Sequence, residues 1–135
     1  MKVMLDTNVL ISLFLFRSVS ADRLVGALAH DRVILCTYVL DELQDVVERK
    51  FPTKGNDVKR FLDSLPYEAV ETPSKSDMAV MGLPHMRDEL DLPVLASAIA
   101  GDVDVLVTGD RDFEPLAIAR PLILTPAEYT SMAEN

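Results

Sequence analysis

Two kinds of apolar pattern alternate along the chain. Val3-Met4-Leu5, Val33-Ile34-Leu35-Cys36, Val105-Leu106-Val107-Thr108 and Leu122-Ile123-Leu124 are short, nearly unbroken and rich in β-branched residues. Such runs predict strands buried on both faces. Glu68-Ala69-Val70 is a weaker, ambiguous candidate for another. Between them lie longer stretches with apolar residues every three or four positions, the spacing of a helix with one inward face. The first runs from Val9 to Phe16, capped by Thr7 or Asn8. The second is capped by Ser20, with Leu24, Val25 and Leu28 inward. Thr37 opens a helix to about Lys50 with the stripe Val39, Leu40, Leu43, Val46 and Val47. Asn56 caps the next, with Val58, Phe61, Leu62 and Leu65 inward. Residues 71–90 are hardest to read: Met78, Val80, Met81 and Leu83 form a short helix or pack down a loop.

The pattern becomes regular again after Asp91. Leu92, Leu95, Ala96 and Ile99 share one helix face, with Pro93 in the first turn and Gly101 suited to the position beyond the end. A short helix is expected over Phe113–Ala119. Thr125-Pro126-Ala127-Glu128 has the form of a capping box, with proline at the first helical position. Strands alternating with helices predict an α/β fold of three layers, α/β/α, around a mainly parallel sheet. No repeat or linker divides the chain, so 135 residues read as one domain.

In such a sheet ligands bind beyond the carboxyl ends of the strands. Val3-Met4-Leu5 runs directly into Asp6, and Val107-Thr108-Gly109 into Asp110. Glu42 lies in the helix that follows the second strand, on the edge of its apolar stripe. Two readings of it stay open: a site residue at the core's margin, where desolvation is costly, or a snorkelling side chain paired with Arg49. Asp41, Asp45 and Glu48 point more to solvent. Asp91 stands at a helix N-terminus, where capping alone would also account for it. Asp112 is either a further acid or the cap of the Phe113 helix. His30 and His85 read as surface or loop residues.

Acids gathered at one sheet mouth repel each other unless a cation sits among them. Oxygen ligands without histidine or cysteine favour Mg²⁺ or Mn²⁺. Metal ions about 4 Å apart can activate water and steady the leaving oxygen of a phosphodiester. Asn8 and Thr108 are placed to orient neighbouring acids or water.

Composition narrows the classes. Cys36 is the one cysteine and sits in an apolar run, which excludes an intrachain disulfide or a thiol zinc site and suits a core filler. No apolar stretch approaches the ~20 residues of a membrane span, and no signal-peptide layout is seen, so a cytoplasmic protein is expected. The net charge of −9 argues against broad electrostatic binding of nucleic acid and suits cations and a basic partner. Arg49-Lys50, Lys54 and Lys59-Arg60 either line one rim and touch phosphates or form a solvated helix surface.

Four segments together resemble a known family. They are Leu5-Asp6-Thr7-Asn8-Val9-Leu10-Ile11-Ser12, Leu40-Asp41-Glu42-Leu43, Asp91-Leu92-Pro93-Val94-Leu95-Ala96 and Val107-Thr108-Gly109-Asp110-Arg111-Asp112-Phe113. The chain is similar to PIN domains, above all to the small toxins of VapC-like toxin–antitoxin pairs, from residue 2 to about 130. The resemblance implies a ribonuclease whose Mg²⁺ or Mn²⁺ is bound by acids at Asp6, Glu42, Asp91 and Asp110, with Asn8 and Thr108 in support. It implies an RNA substrate and a cognate antitoxin whose basic segment enters the acidic cleft. Small PIN proteins often dimerise, so a homodimer stays open. The alternative is a PIN scaffold that binds RNA or a protein without cutting. A receiver-type phosphoacceptor fits less well, because the second strand ends in Cys36-Thr37 with no aspartate. A haloacid-dehalogenase-type phosphatase lacks its second aspartate in Asp6-Thr7-Asn8.

Overall fold

The computed structural model describes residues 1–16, 18–110, 113, 116 and 118–135. Five strands form one sheet: β1 (Lys2–Leu5), β2 (Arg32–Cys36), β3 (Tyr67–Val70), β4 (Val105–Val107) and β5 (Leu122–Leu124). Their order is β3-β2-β1-β4-β5, and every neighbouring pair is parallel. The helices are α1 (Thr7–Leu15), α2 (Val19–Leu28), α3 (Thr37–Lys50), α4 (Gly55–Ser64), α5 (Lys75–Val80), α6 (Leu92–Ala100) and α7 (Pro126–Glu134). The sheet is the middle of three layers. Helix α3 packs against α1, α4 and α6, while α2 packs on α7.

The strand runs are continuous because both faces are covered. Val3, Met4, Leu5, Leu35, Cys36, Leu106 and Val107 are all buried, so no position along them is free to be polar. Burial of such side chains stabilises the fold by about 1.5–3 kcal/mol each. The chain leaves β1 for β2 on one side, whereas β4 joins β1 on the other. The strand order therefore reverses between β1 and β4, and the crevice of an open α/β sheet forms at that reversal. Leu5 is in register with Val107, so the residues just after them, Asp6 and Thr108, emerge side by side.

Several local expectations are corrected. Asp6, not Thr7 or Asn8, caps α1: its backbone is extended and its carboxylate accepts the Thr7 N–H. Ser18, not Ser20, caps α2, its hydroxyl accepting the Ala21 N–H at 3.0 Å. The inward face of α2 is then Leu24, Ala27 and Leu28, and Val25 is exposed. Helix α4 begins at Gly55 directly after a 3₁₀ turn, Pro52–Lys54, and Asn56 is not its cap. Gly101 ends α6 in the right-handed region, and the left-handed residue is Asp102 (φ 51°), a residue type that tolerates this conformation. Within 71–90 the chain forms the short α5, whose Val80 is exposed, and drops one anchor, Met86, into the core. The Thr125–Glu128 capping box forms as read. The helix expected over Phe113–Ala119 falls largely outside the described residues, although Phe113 itself is buried.

Candidate active site

Asp6 is both the end of a strand and the start of a helix, with no loop between. The Asp6 N–H donates to the Val107 carbonyl at 3.1 Å, extending the β1–β4 ladder by one residue. Its side chain is only 8% exposed. The Thr7 N–H donates to Oδ1 at 2.7 Å and the Thr108 hydroxyl to Oδ2 at 2.8 Å. Thr108 is buried, and its Oγ1 also accepts the Asp110 N–H at 3.0 Å. One hydroxyl thus ties the acid after β1 to the backbone of the acid after β4.

A cleft of about 350 Å³ opens above this pair. Asp6, Asn8, Glu42, Asp91 and Asp110 all line it, with Asp45, Asp88, Tyr38 and Arg49 beside them. Four separate segments of chain therefore deliver acids to one place, at the β1–β4 reversal. Glu42 is half-buried on α3. Arg49 pairs with Asp45 at 3.0 Å, so the Glu42–Arg49 pairing considered from sequence is not what forms. Asp91 occupies the capping position of α6 but makes no capping hydrogen bond. Its Oδ2 is buried without a hydrogen-bond partner among the described residues, so capping does not account for this acid. Asn8 is exposed at the edge of the cleft. Asp112 lies outside the described residues.

The electrostatics follow from this crowding. Burial raises the Asp6 pKa; the Thr108 and Thr7 hydrogen bonds pull it back, and Glu42 and Asp110 push it up again. Asp91 is pushed up to about 7, first by burial, then by Asp110, Asp88 and Asp6. The Tyr38 phenol is raised by burial and then by Glu42, with Asp91 and Asp6 adding to it. All three shifts have the sign expected of acids that are desolvated first and crowded by like charge second. Among the described residues, no group of three or more His, Cys, Asp or Glu side chains is arranged as a ready-made metal cage. Mg²⁺, however, is commonly held by one or two carboxylates and otherwise by water and substrate phosphate. The acids present fit that mode, and the orphaned Asp91 Oδ2 supplies an unused ligand atom.

Comparison with known proteins bears on the same residues. A family model described as the PIN domain matches residues 2–112, which include Asp6, Glu42, Asp91 and Asp110. The chain belongs to the PIN domain family. The crystal structure of VapBC2 from Rickettsia felis, bound to a DNA fragment from their promoter, has a chain similar in fold. The TM-score is 0.68 at 23% identity, covering 92% of this chain and 97% of that one. No curated protein matches the chain significantly in sequence.

Sequence reasoning missed three residues of this PIN domain's cleft. Tyr38 lies one helical turn before Glu42, and that i, i+4 relation was a usable signal; its hydroxyl donates to the Leu90 carbonyl at 3.3 Å. Asp88 caps the 3₁₀ turn Glu89–Asp91 by accepting the Leu90 N–H, and nothing in its unpatterned segment marked it. Asp45 is exposed, as expected, and stands at the rim of the cleft in its ion pair with Arg49. The expected basic rim is divided: Arg49 meets the acids, while Lys54 and Arg60 line a different groove beside Leu13, Phe14 and Phe61.

Proposed function

We propose that this PIN domain is a divalent-metal-dependent endoribonuclease acting in the cytoplasm, the toxin of a toxin–antitoxin pair. The observation that carries this reading is the convergence of Asp6, Glu42, Asp91 and Asp110 in one cleft, with Asp6 and Asp91 both held above the ordinary carboxylate range. Asp6 and Asp110 would be the central ligands of Mg²⁺ or Mn²⁺, with Glu42 and Asp91 completing the site or orienting its water. Such an ion supplies a Lewis acid toward phosphate oxygen and lowers the pKa of water.

The chain's own residues do the positioning. Thr108 and the Thr7 N–H each use one lone pair of the Asp6 oxygens and fix its rotamer, leaving a second lone pair on each oxygen. The Asp110 backbone is fixed through the same Thr108 hydroxyl. Tyr38, tied to the Leu90 carbonyl, lines the cleft together with Glu42 and Asp91. The fold shared with VapBC2 and the acidic cleft favour a cognate antitoxin with a basic segment as partner.

The test is cleavage of RNA by the purified protein with Mg²⁺ or Mn²⁺. Asp6→Asn and Asp110→Asn are each expected to lower the rate by about a hundredfold or more. Undiminished cleavage by both variants would show that the site is elsewhere. A non-catalytic scaffold that binds RNA or a protein partner is the second reading; it expects no cleavage under any metal.

A further inference from the structure

A second cavity adjoins the acidic cleft. It holds about 310 Å³ and is mostly apolar, with Val9, Leu13 and Leu24 forming its floor. Two residues join it to the acids. Asn8 lines both cavities, and Gly109, between Thr108 and Asp110, forms part of its wall. A Cβ added to Gly109 would meet nothing within 4 Å, so the space beside it is open. Ser12 and Ser20 add hydroxyls at the rim. Phe16, at the end of α1, is 64% exposed on the edge of this cavity.

We infer that this cavity is a nucleobase subsite, taking the base of a nucleotide next to the phosphodiester held at the acids. The inference rests on the ribonuclease reading above. A nucleotide presents an apolar ring face, a polar ring edge and a phosphate one sugar away. The cavity presents an apolar floor with an aromatic edge, hydroxyl and amide groups at the rim, and the acidic cleft immediately beyond Asn8. Single-stranded RNA is recognised by stacking on aromatic side chains and by hydrogen bonds to base edges. An exposed phenylalanine beside a polar-rimmed cavity supplies both. The location also gives Asn8 a double role, facing the scissile phosphate on one side and the base edge on the other.

The experiment measures binding separately from cutting. A labelled phosphorothioate oligoribonucleotide is titrated with Mn²⁺ present against the wild type, Phe16→Ala and Ala21→Trp, which fills the cavity from α2. The same titrations use an oligonucleotide with abasic positions. Each variant is expected to raise Kd about five- to a hundredfold, the range for one lost base–aromatic stack. Abasic RNA should bind the wild type as weakly as it binds the variants. Base preference at the cut, read by sequencing the ends of cleaved RNA, should be lost in Phe16→Ala. Unchanged Kd and unchanged preference in both variants would overturn the subsite, including the case where they disturb only binding of an antitoxin protein. RNA that binds with this base dependence but is never cut would overturn the nuclease reading and leave the subsite standing. No RNA binding at all would overturn both.

Discussion

Thr108 shows how much of the site depends on one hydroxyl. It donates to Asp6 in a buried setting and accepts from the half-buried Asp110 backbone. Thr108→Val keeps the shape and removes both bonds, leaving a buried carboxylate oxygen and an amide without their partner. A loss of about 1–3 kcal/mol in unfolding free energy is expected, with Thr108→Ser restoring most of it; chemical denaturation checks this. Asp91 makes a prediction of opposite character. Its folded pKa lies near 7, above the usual 3.8, so between those values the folded chain binds more protons than the unfolded one. The contribution of Asp91 to the stability of metal-free protein should therefore be lost as pH rises from about 4 through 7, a loss absent from Asp91→Asn. Mn²⁺ should stabilise it more at pH 7.5 than at pH 5, because protons and cation compete for the same oxygens. Melting curves with EDTA and with Mn²⁺ measure both. Among the residues of the candidate site, Asp6 and Asp110 were legible from sequence because Asp6 directly follows one unmistakable strand and Asp110 lies three residues past another. Glu42 and Asp91 were ambiguous because a helix edge and a helix N-terminus each have an ordinary use for an acid. The orphaned oxygen of Asp91 argues against a capping role, and the Arg49–Asp45 pairing against a Glu42–Arg49 ion pair.

The elements that carry these acids are fastened by a polar clasp behind the cleft. Thr72, just past β3, accepts the Tyr38 N–H at 3.0 Å and the Ser97 hydroxyl at 3.0 Å. Its own N–H donates to the Thr37 hydroxyl at 3.0 Å. The clasp joins the start of α3, which bears Tyr38 and Glu42, to the middle of α6, which begins beside Asp91. Thr72→Val should lower stability by about 1–3 kcal/mol and slow RNA cleavage through loosened placement of α3; thermal melts and cleavage rates report each. Elements were well predicted where burial on both sides left an unbroken apolar run, as in β1, β2 and β4; β5, at the sheet edge, is an apolar strand that is only half-buried, with Leu122 exposed. The ends of elements were predicted less well. Ser18 and Ser20 are equally good caps in sequence, and the packing of Leu24, Ala27 and Leu28 decides between them. The segment 71–90 was unreadable because it holds one short helix and a single core anchor, Met86, too little to set a period.

At the scale of the molecule, charge and fold agree once the cleft is located. The chain carries −9, and among the described residues six carboxylates against one guanidinium line this cleft. The excess is thus concentrated where cations are expected, and it no longer counts against a nucleic-acid substrate reached through them. The parallel sheet places the cleft at the reversal between β1 and β4, with the apolar cavity beside it and the Lys54–Arg60 groove as a separate feature. All of this depends on the acids acting together on a divalent ion. Calorimetric titration of the metal-free protein with Mn²⁺ at pH 7.5, beside Asp110→Asn, tests that most directly. Saturable binding below millimolar concentration in the wild type, strongly weakened in the variant, is the predicted result; no binding by the wild type, or equal binding by both proteins, would contradict it.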